Sequence, residues 1–169
     1  FEQGDDVDRS AISALRSLGV TMREFDWPKI NFESLRQIVL VEAAAAFSEL
    51  TLANLDDELS WQDEDAWPNT WRQTRFYSAV DYVQVDRLRR RVMNELAAAF
   101  DGCDALIGPH YAGGALLATN CTGHPQLVLR AGFAQTPNRT LFDDPADAAG
   151  AQTYRTPRGI SLWANLFEE

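Results

Sequence analysis

Lysine is almost missing from this chain: Lys29 stands alone among 169 residues, beside fourteen arginines. A guanidinium stays protonated near neutral pH, so the arginines cannot serve as general bases in its place. Cysteine and histidine are equally scarce. Cys103 and Cys121 have no C-x-x-C spacing, and His110 and His124 are the only histidines. That excludes a disulfide framework and a zinc cluster, and leaves two thiols expected to be reduced and buried. No nucleophile elbow of the G-x-S-x-G kind, phosphate-binding glycine loop, Rossmann glycine pattern or H-E-x-x-H is present, so no cofactor is implied. No apolar run reaches membrane-spanning length and no charged-then-apolar leader opens the sequence, which sets the expectation of no membrane partner and a cytoplasmic location. Positive charge is short as well. With 25 acidic residues against 15 basic ones the formal charge is −10, and nucleic acid is excluded as a partner because phosphate binding rests on Lys and Arg.

What is abundant is apolar material, 46% of the residues with five Trp and nine Phe. That suffices for one core, and the length predicts a single α/β unit over 1–169. Asp5, Asp6 and Asp8 open a helix whose apolar positions Val7, Ala11, Ala14, Leu15 and Leu18 recur at helical spacing, closed by Gly19. Residues 20–27 lose that period and stop at Pro28, which predicts a strand. Asn31 is placed to cap a second helix with a face of Phe32, Leu35, Val39, Ala43, Ala46, Leu50 and Ala53. Residues 55–69 crowd six carboxylates around Trp61 and Trp67. A solvated loop anchored by two indoles is expected, with an ion site as the alternative, although calcium loops need a central glycine and none occurs here.

Residues 70–100 read as one long helix with Phe76, Val80, Val83, Leu88, Val92, Leu96 and Phe100 in a stripe. Its run of Arg87, Arg89, Arg90 and Arg91 reads as a solvated face paired with Asp86 and Glu95; an anion site is the alternative. Gly102 ends that helix. A short buried strand over 104–107, stopped by Gly108-Pro109, follows, then a small-residue helix from Gly113-Gly114 to near Gly123, and a strand over 126–130. Residues 132–156 read as a surface excursion and 159–165 as a last strand, with Trp163 and Phe167 assigned to the core. Helices and strands alternate, so the expected fold class is α/β, a mixed-sheet layered fold flanked by helices.

Catalytic chemistry is thin. A Cys121–His124 or His110–Cys121 nucleophile pair is one reading; loop packing beside Pro109 and Pro125 is the other. His110, Tyr111, Asn120 and Thr122 sit at strand and helix ends, where α/β folds collect ligand groups, and are the candidate substrate-binding pocket wall. Loop caps and packing are the plainer explanation for each of them taken singly.

Four elements in order carry a family likeness: Asp104-Ala105-Leu106-Ile107-Gly108-Pro109, Asn120-Cys121-Thr122-Gly123-His124-Pro125, Gly132-Phe133, and Thr156-Pro157-Arg158-Gly159-Ile160-Ser161-Leu162 with Glu168. In order and separation they resemble the C-terminal part of the amidase signature hydrolases. The helix and strand of residues 8–28 are also similar to that family, so the likeness spans nearly the whole chain, the excursion around Asp143 excepted. The resemblance implies a fragment of a larger amidase-like domain, acting on a small-molecule amide substrate in the parent enzyme. It also shows what is missing. The family's Ser-Ser-Lys triad lies in a Gly/Ser-rich segment that nothing here matches, Lys29 falls far downstream of the triad lysine, and no residue inherits a catalytic role. Some relatives carry an acidic residue shortly before N-x-x-G-x-P, and the same spacing lands here on Gly113. The expectation is therefore a catalytically incomplete C–N hydrolase region; the alternative is a non-catalytic α/β binding or interaction module. A sheet cut from a larger one should leave an apolar edge, through which a homodimer is expected.

Overall fold

The computed structural model describes residues 4–109, 112–137 and 153–167. It contains both helices and a small sheet, in accord with the general α/β class, and it divides into two compact units. One comprises residues 1–25, 103–112 and 125–169; the other comprises 26–102 and 113–124.

The first unit holds α1 (Asp6–Ser17) and three strands, β1 (Leu106–Pro109), β2 (Gln126–Pro137) and β3 (Thr153–Trp163). Asp5 caps α1 by accepting from the Val7 and Asp8 amides, both at 3.0 Å, and the helix closes before Gly19 as expected. The sheet order is β1-β3-β2 and both pairings are antiparallel, so the expected mixed sheet is replaced among the described strands by an antiparallel one. β2 and β3 run on together from Gln126↔Trp163 to Pro137↔Thr153, with a register shift between Arg130 and Gly132. Much of the predicted 132–156 excursion is thus strand; its middle, around Asp143, lies outside the described residues. α1 packs on β2 and β3, where Arg158 Nη2 reaches Asp5 Oδ2 at 2.8 Å. The Arg158 contact and the cap bonds, the Asp8 amide foremost, hold the Asp5 carboxyl below its ordinary value.

Two expectations fail in this unit. Residues 20–27 form no strand: an extended, apolar-rich run becomes a strand only by finding a partner edge, and this one pairs with none. Phe167 is almost wholly exposed, whereas Trp163 is buried as expected. Trp163 lies so close over Gly108 that a Cβ there would stand 2.9 Å from the indole ring, which explains the glycine.

The second unit is helical. A 3₁₀ turn (Phe32–Leu35) leads into α2 (Arg36–Ala46), followed by α3 (Ser48–Leu52), α4 (Trp67–Thr74), α5 (Ala79–Ala99) and α6 (Gly114–Thr122). Asn31 Oδ1 accepts from the Glu33 amide at 3.1 Å, the cap its position predicts. Leu35, Ile38, Val92, Leu96 and Ala118 form the core, with Trp27, Phe32, Leu88 and Leu117 packed against it. Ile38 and Ala44 are buried where the sequence pattern chose Val39 and Ala46. The opening turn is 3₁₀, at 3.0 residues per turn, and this shifts the face that α2 presents.

The long helix predicted over residues 70–100 is two helices. Phe76, on the predicted stripe, is 87% exposed, and Ser78 starts a new helix by accepting from the Asp81 amide at 3.0 Å. The arginine run on α5 behaves as a solvated face: Arg89 pairs with Asp86, and Arg91 Nε with Glu95 Oε1 at 2.7 Å. In the acidic loop the anchor is Trp71, which stacks on Phe47 at 4.6 Å and on Trp67 at 6.2 Å between ring centroids. Trp61 and Trp67 are 38% and 44% exposed; Trp61 Nε1 donates to Asp63 Oδ2 at 2.8 Å, and Trp67 stacks on Trp71. Asp56 is fully buried, with Oδ2 2.8 Å from Arg72 Nη2 in an ion contact that is not aligned as a hydrogen bond. Arg72 also holds Asp57 at 2.5 Å, so one guanidinium is shared between two carboxylates.

Candidate functional site

Two of the four expected pocket-wall residues, His110 and Tyr111, lie outside the described residues. The other two share α6 and point apart: Asn120 is exposed and Thr122 is buried. Two positions on a helix differ by about 200° around the axis, so a single wall cannot present both side chains. α6 is built for a stop. Gly123 takes the left-handed conformation at φ 84°, and the Gly123 and His124 amides both donate to the Thr119 carbonyl, at 2.9 and 3.0 Å.

Thr122 turns its hydroxyl inward to the Ala118 carbonyl at 2.8 Å and lies 2.6 Å from His124 Nδ1. The His124 ring stacks on Phe100 at 5.4 Å between centroids, and its Nε2 is buried with no hydrogen-bond partner among the described residues. Burial pushes the His124 pKa down. The imidazole is therefore held neutral inside the helical unit, where a substrate cannot reach it.

Cys121, the expected nucleophile partner, is half-buried, with its thiol 3.9 Å from the Leu35 carbonyl. Burial, followed by the Glu42 charge, pushes its pKa up, which is unfavourable for a thiolate. Cys103 sits elsewhere, with Sγ 3.1 Å from Arg23 Nε and 2.7 Å from Arg23 Nη2. Both thiols are free and half-buried, less enclosed than the sequence suggests. Among the described residues no group of three or more His, Cys, Asp or Glu could hold a metal ion. No described helix is long and apolar enough to cross a membrane.

Among the described residues a cleft of about 350 Å³ lies within the helical unit, between α2, the start of α3, the end of α4 and the start of α5. Val41, Ala44 and Ala45 give it an apolar floor, and Ser48, Arg75 and Tyr82 bring polar groups to it. Arg75 Nη2 donates to Ser48 Oγ at 2.7 Å, and Tyr82 Oη donates to Glu42 Oε1 at 3.2 Å. Burial first, then Glu42, raises the Tyr82 pKa, so its hydroxyl stays a donor. None of these residues stands out when 70–100 is read as one helix. The signal that could have found them is Ser78-x-x-Asp81, a cap pattern that breaks the helix and opens one side of the cleft. Compared with known families and curated proteins, the chain matches no family model and no curated protein.

Proposed function

We propose that the chain is a non-catalytic region of an amidase-like C–N hydrolase, which completes its activity only with a segment that supplies the nucleophile and its lysine base. The observation that carries this reading is β2. It is an outer strand among the described strands, yet Leu127, Val128 and Leu129 are 56%, 54% and 44% exposed. Successive strand residues point to opposite faces, so half-exposed apolar residues lie on both faces of an edge that no described strand pairs. Edge strands of finished sheets are blunted by charge, proline or cover, and residues 126–129 have none of the first two. An unfinished sheet is what a partial domain would show.

The amide-cleaving part of the reading comes from the resemblance of the four motif elements, and its non-catalytic part from the lone Lys29, which lies exposed in a loop of the helical unit and away from the triad lysine's place in that resemblance. The test compares turnover of a small aryl amide by this chain and by the whole product of its gene. The proposal expects turnover in the whole product and none above buffer in this chain, together with a Gly/Ser-rich segment bearing paired serines and a lysine in the whole product. A whole product that lacks that segment, or that leaves aryl amides intact, contradicts it. The cleft beside α5 favours a second reading, a binding module without chemistry, and ligand binding in a whole product that cleaves nothing would select it.

A further inference from the structure

We propose that the cleft between α2 and α5 is a binding site for a small carboxylate with an apolar body, a site that stands whether or not the amidase reading holds. Three independent features converge on it. The floor of Val41, Ala44 and Ala45 offers apolar surface in a volume at the lower end of what ligand cavities occupy, room for one small molecule. Arg75 supplies the charge. In a chain of net charge −10, Arg9, Arg72, Arg89, Arg91 and Arg158 are all neutralised by carboxylates. Arg75 instead donates to the neutral hydroxyl of Ser48, which holds the guanidinium in place without cancelling it. A guanidinium has five N–H donors in a fork that matches a carboxylate, and one of its nitrogens is engaged here.

The third feature is the start of α5, a helix of 21 residues whose N-cap Ser78 and first residue Ala79 line the same cleft. The Asp81 amide is taken by Ser78 Oγ, and the amides of Ala79 and Val80 have no acceptor within the helix. These donors and the positive end of the helix dipole favour an anion at the mouth where Arg75 stands. Two carboxylates stand beside it and keep their charge, Asp81 Oδ2 accepting from Ser78 Oγ at 2.7 Å and Glu42 Oε1 from Tyr82 Oη at 3.2 Å, so the preference for a charged over a neutral probe reads whether Arg75 and the helix start outweigh them. An apolar body on the floor with its carboxylate between Arg75 and the Ala79 amide satisfies all three.

The probes are 3-phenylpropionate and its neutral isostere 3-phenylpropionamide, titrated into the chain with amide chemical shifts as readout. The expected result is saturable shifts at Ser48, Arg75, Ala79 and Val80 with 3-phenylpropionate, at a Kd of about 1 mM for so open a cleft. Affinity should fall at least about tenfold for the amide, and equally for 3-phenylpropionate against Arg75→Gln, because a charge-assisted pair is lost. Ala45→Phe, which fills the floor without touching the charge, should abolish binding; the dispersion of each variant's spectrum reports whether it is folded. No saturable shift at these residues, equal affinity for the two probes, or binding that survives Arg75→Gln overturns the proposal.

Discussion

His124 sits against Phe100 with Nδ1 held by Thr122 and Nε2 enclosed, so protonation in the folded chain must charge a ring that has little water. Its folded pKa lies below the ordinary 6.5, with burial as the cause. The unfolded chain therefore binds the proton first: stability is complete above about pH 6.5 and falls as the pH drops from there toward the folded value. Thermal melts at about pH 7.5 and about pH 5.5 should show a drop in Tm that shrinks in His124→Gln, the window being that of an imidazole; an equal drop in both proteins contradicts this. Thr122 illustrates what was legible at this scale. Its place at a helix end could be read from Gly123 and Pro125, but whether its hydroxyl faced a ligand or the Ala118 carbonyl is decided by which side of α6 meets the core. That is set by distant residues such as Leu35 and Val92.

The break between α4 and α5 is an element's property, made by one hydroxyl. Ser78 Oγ accepts from the Asp81 amide and donates to its carboxylate, fixing the first turn of a 21-residue helix. Ser78→Ala should cost about 1 kcal/mol and Ser78→Gly only a few tenths, measured by urea denaturation; equal losses would mean that the hydroxyl does not cap. Elements whose ends are marked by local chemistry were readable: α1 between Asp5 and Gly19, the turn at Asn31, and α6 ending at Gly123. Those that depend on distant partners were not. Residues 20–27 have strand-like composition and no edge to join, while β2 continues past Arg130 through a register shift that disrupts its alternation. Phe76, Val80 and Val83 keep helical spacing with the core residues Val92 and Leu96 yet are exposed, so periodicity concealed both the break and the cleft beside it.

At the scale of the whole molecule, one unit is a helical bundle around Leu35, Ile38, Val92 and Leu96, and the other is a three-stranded antiparallel sheet covered by α1. The class, helices with a sheet, was legible in the alternation of patterns along the chain. The antiparallel order β1-β3-β2 was not, because β3 lies between two strands that both precede it in sequence. The open flank of β2 is the feature on which the functional account turns: an edge with apolar residues on both faces is a template for another strand. Hydrogen exchange at the amides of residues 127–129 tests this most directly, compared between this chain and the whole product of its gene. The account predicts fast exchange of the outward-facing amides in this chain alone, the inward-facing ones being bonded to β3, and protection of those outward-facing amides in the whole product, where a further strand completes the sheet. Equally fast exchange in both, with β2 left as a bare edge, would contradict it.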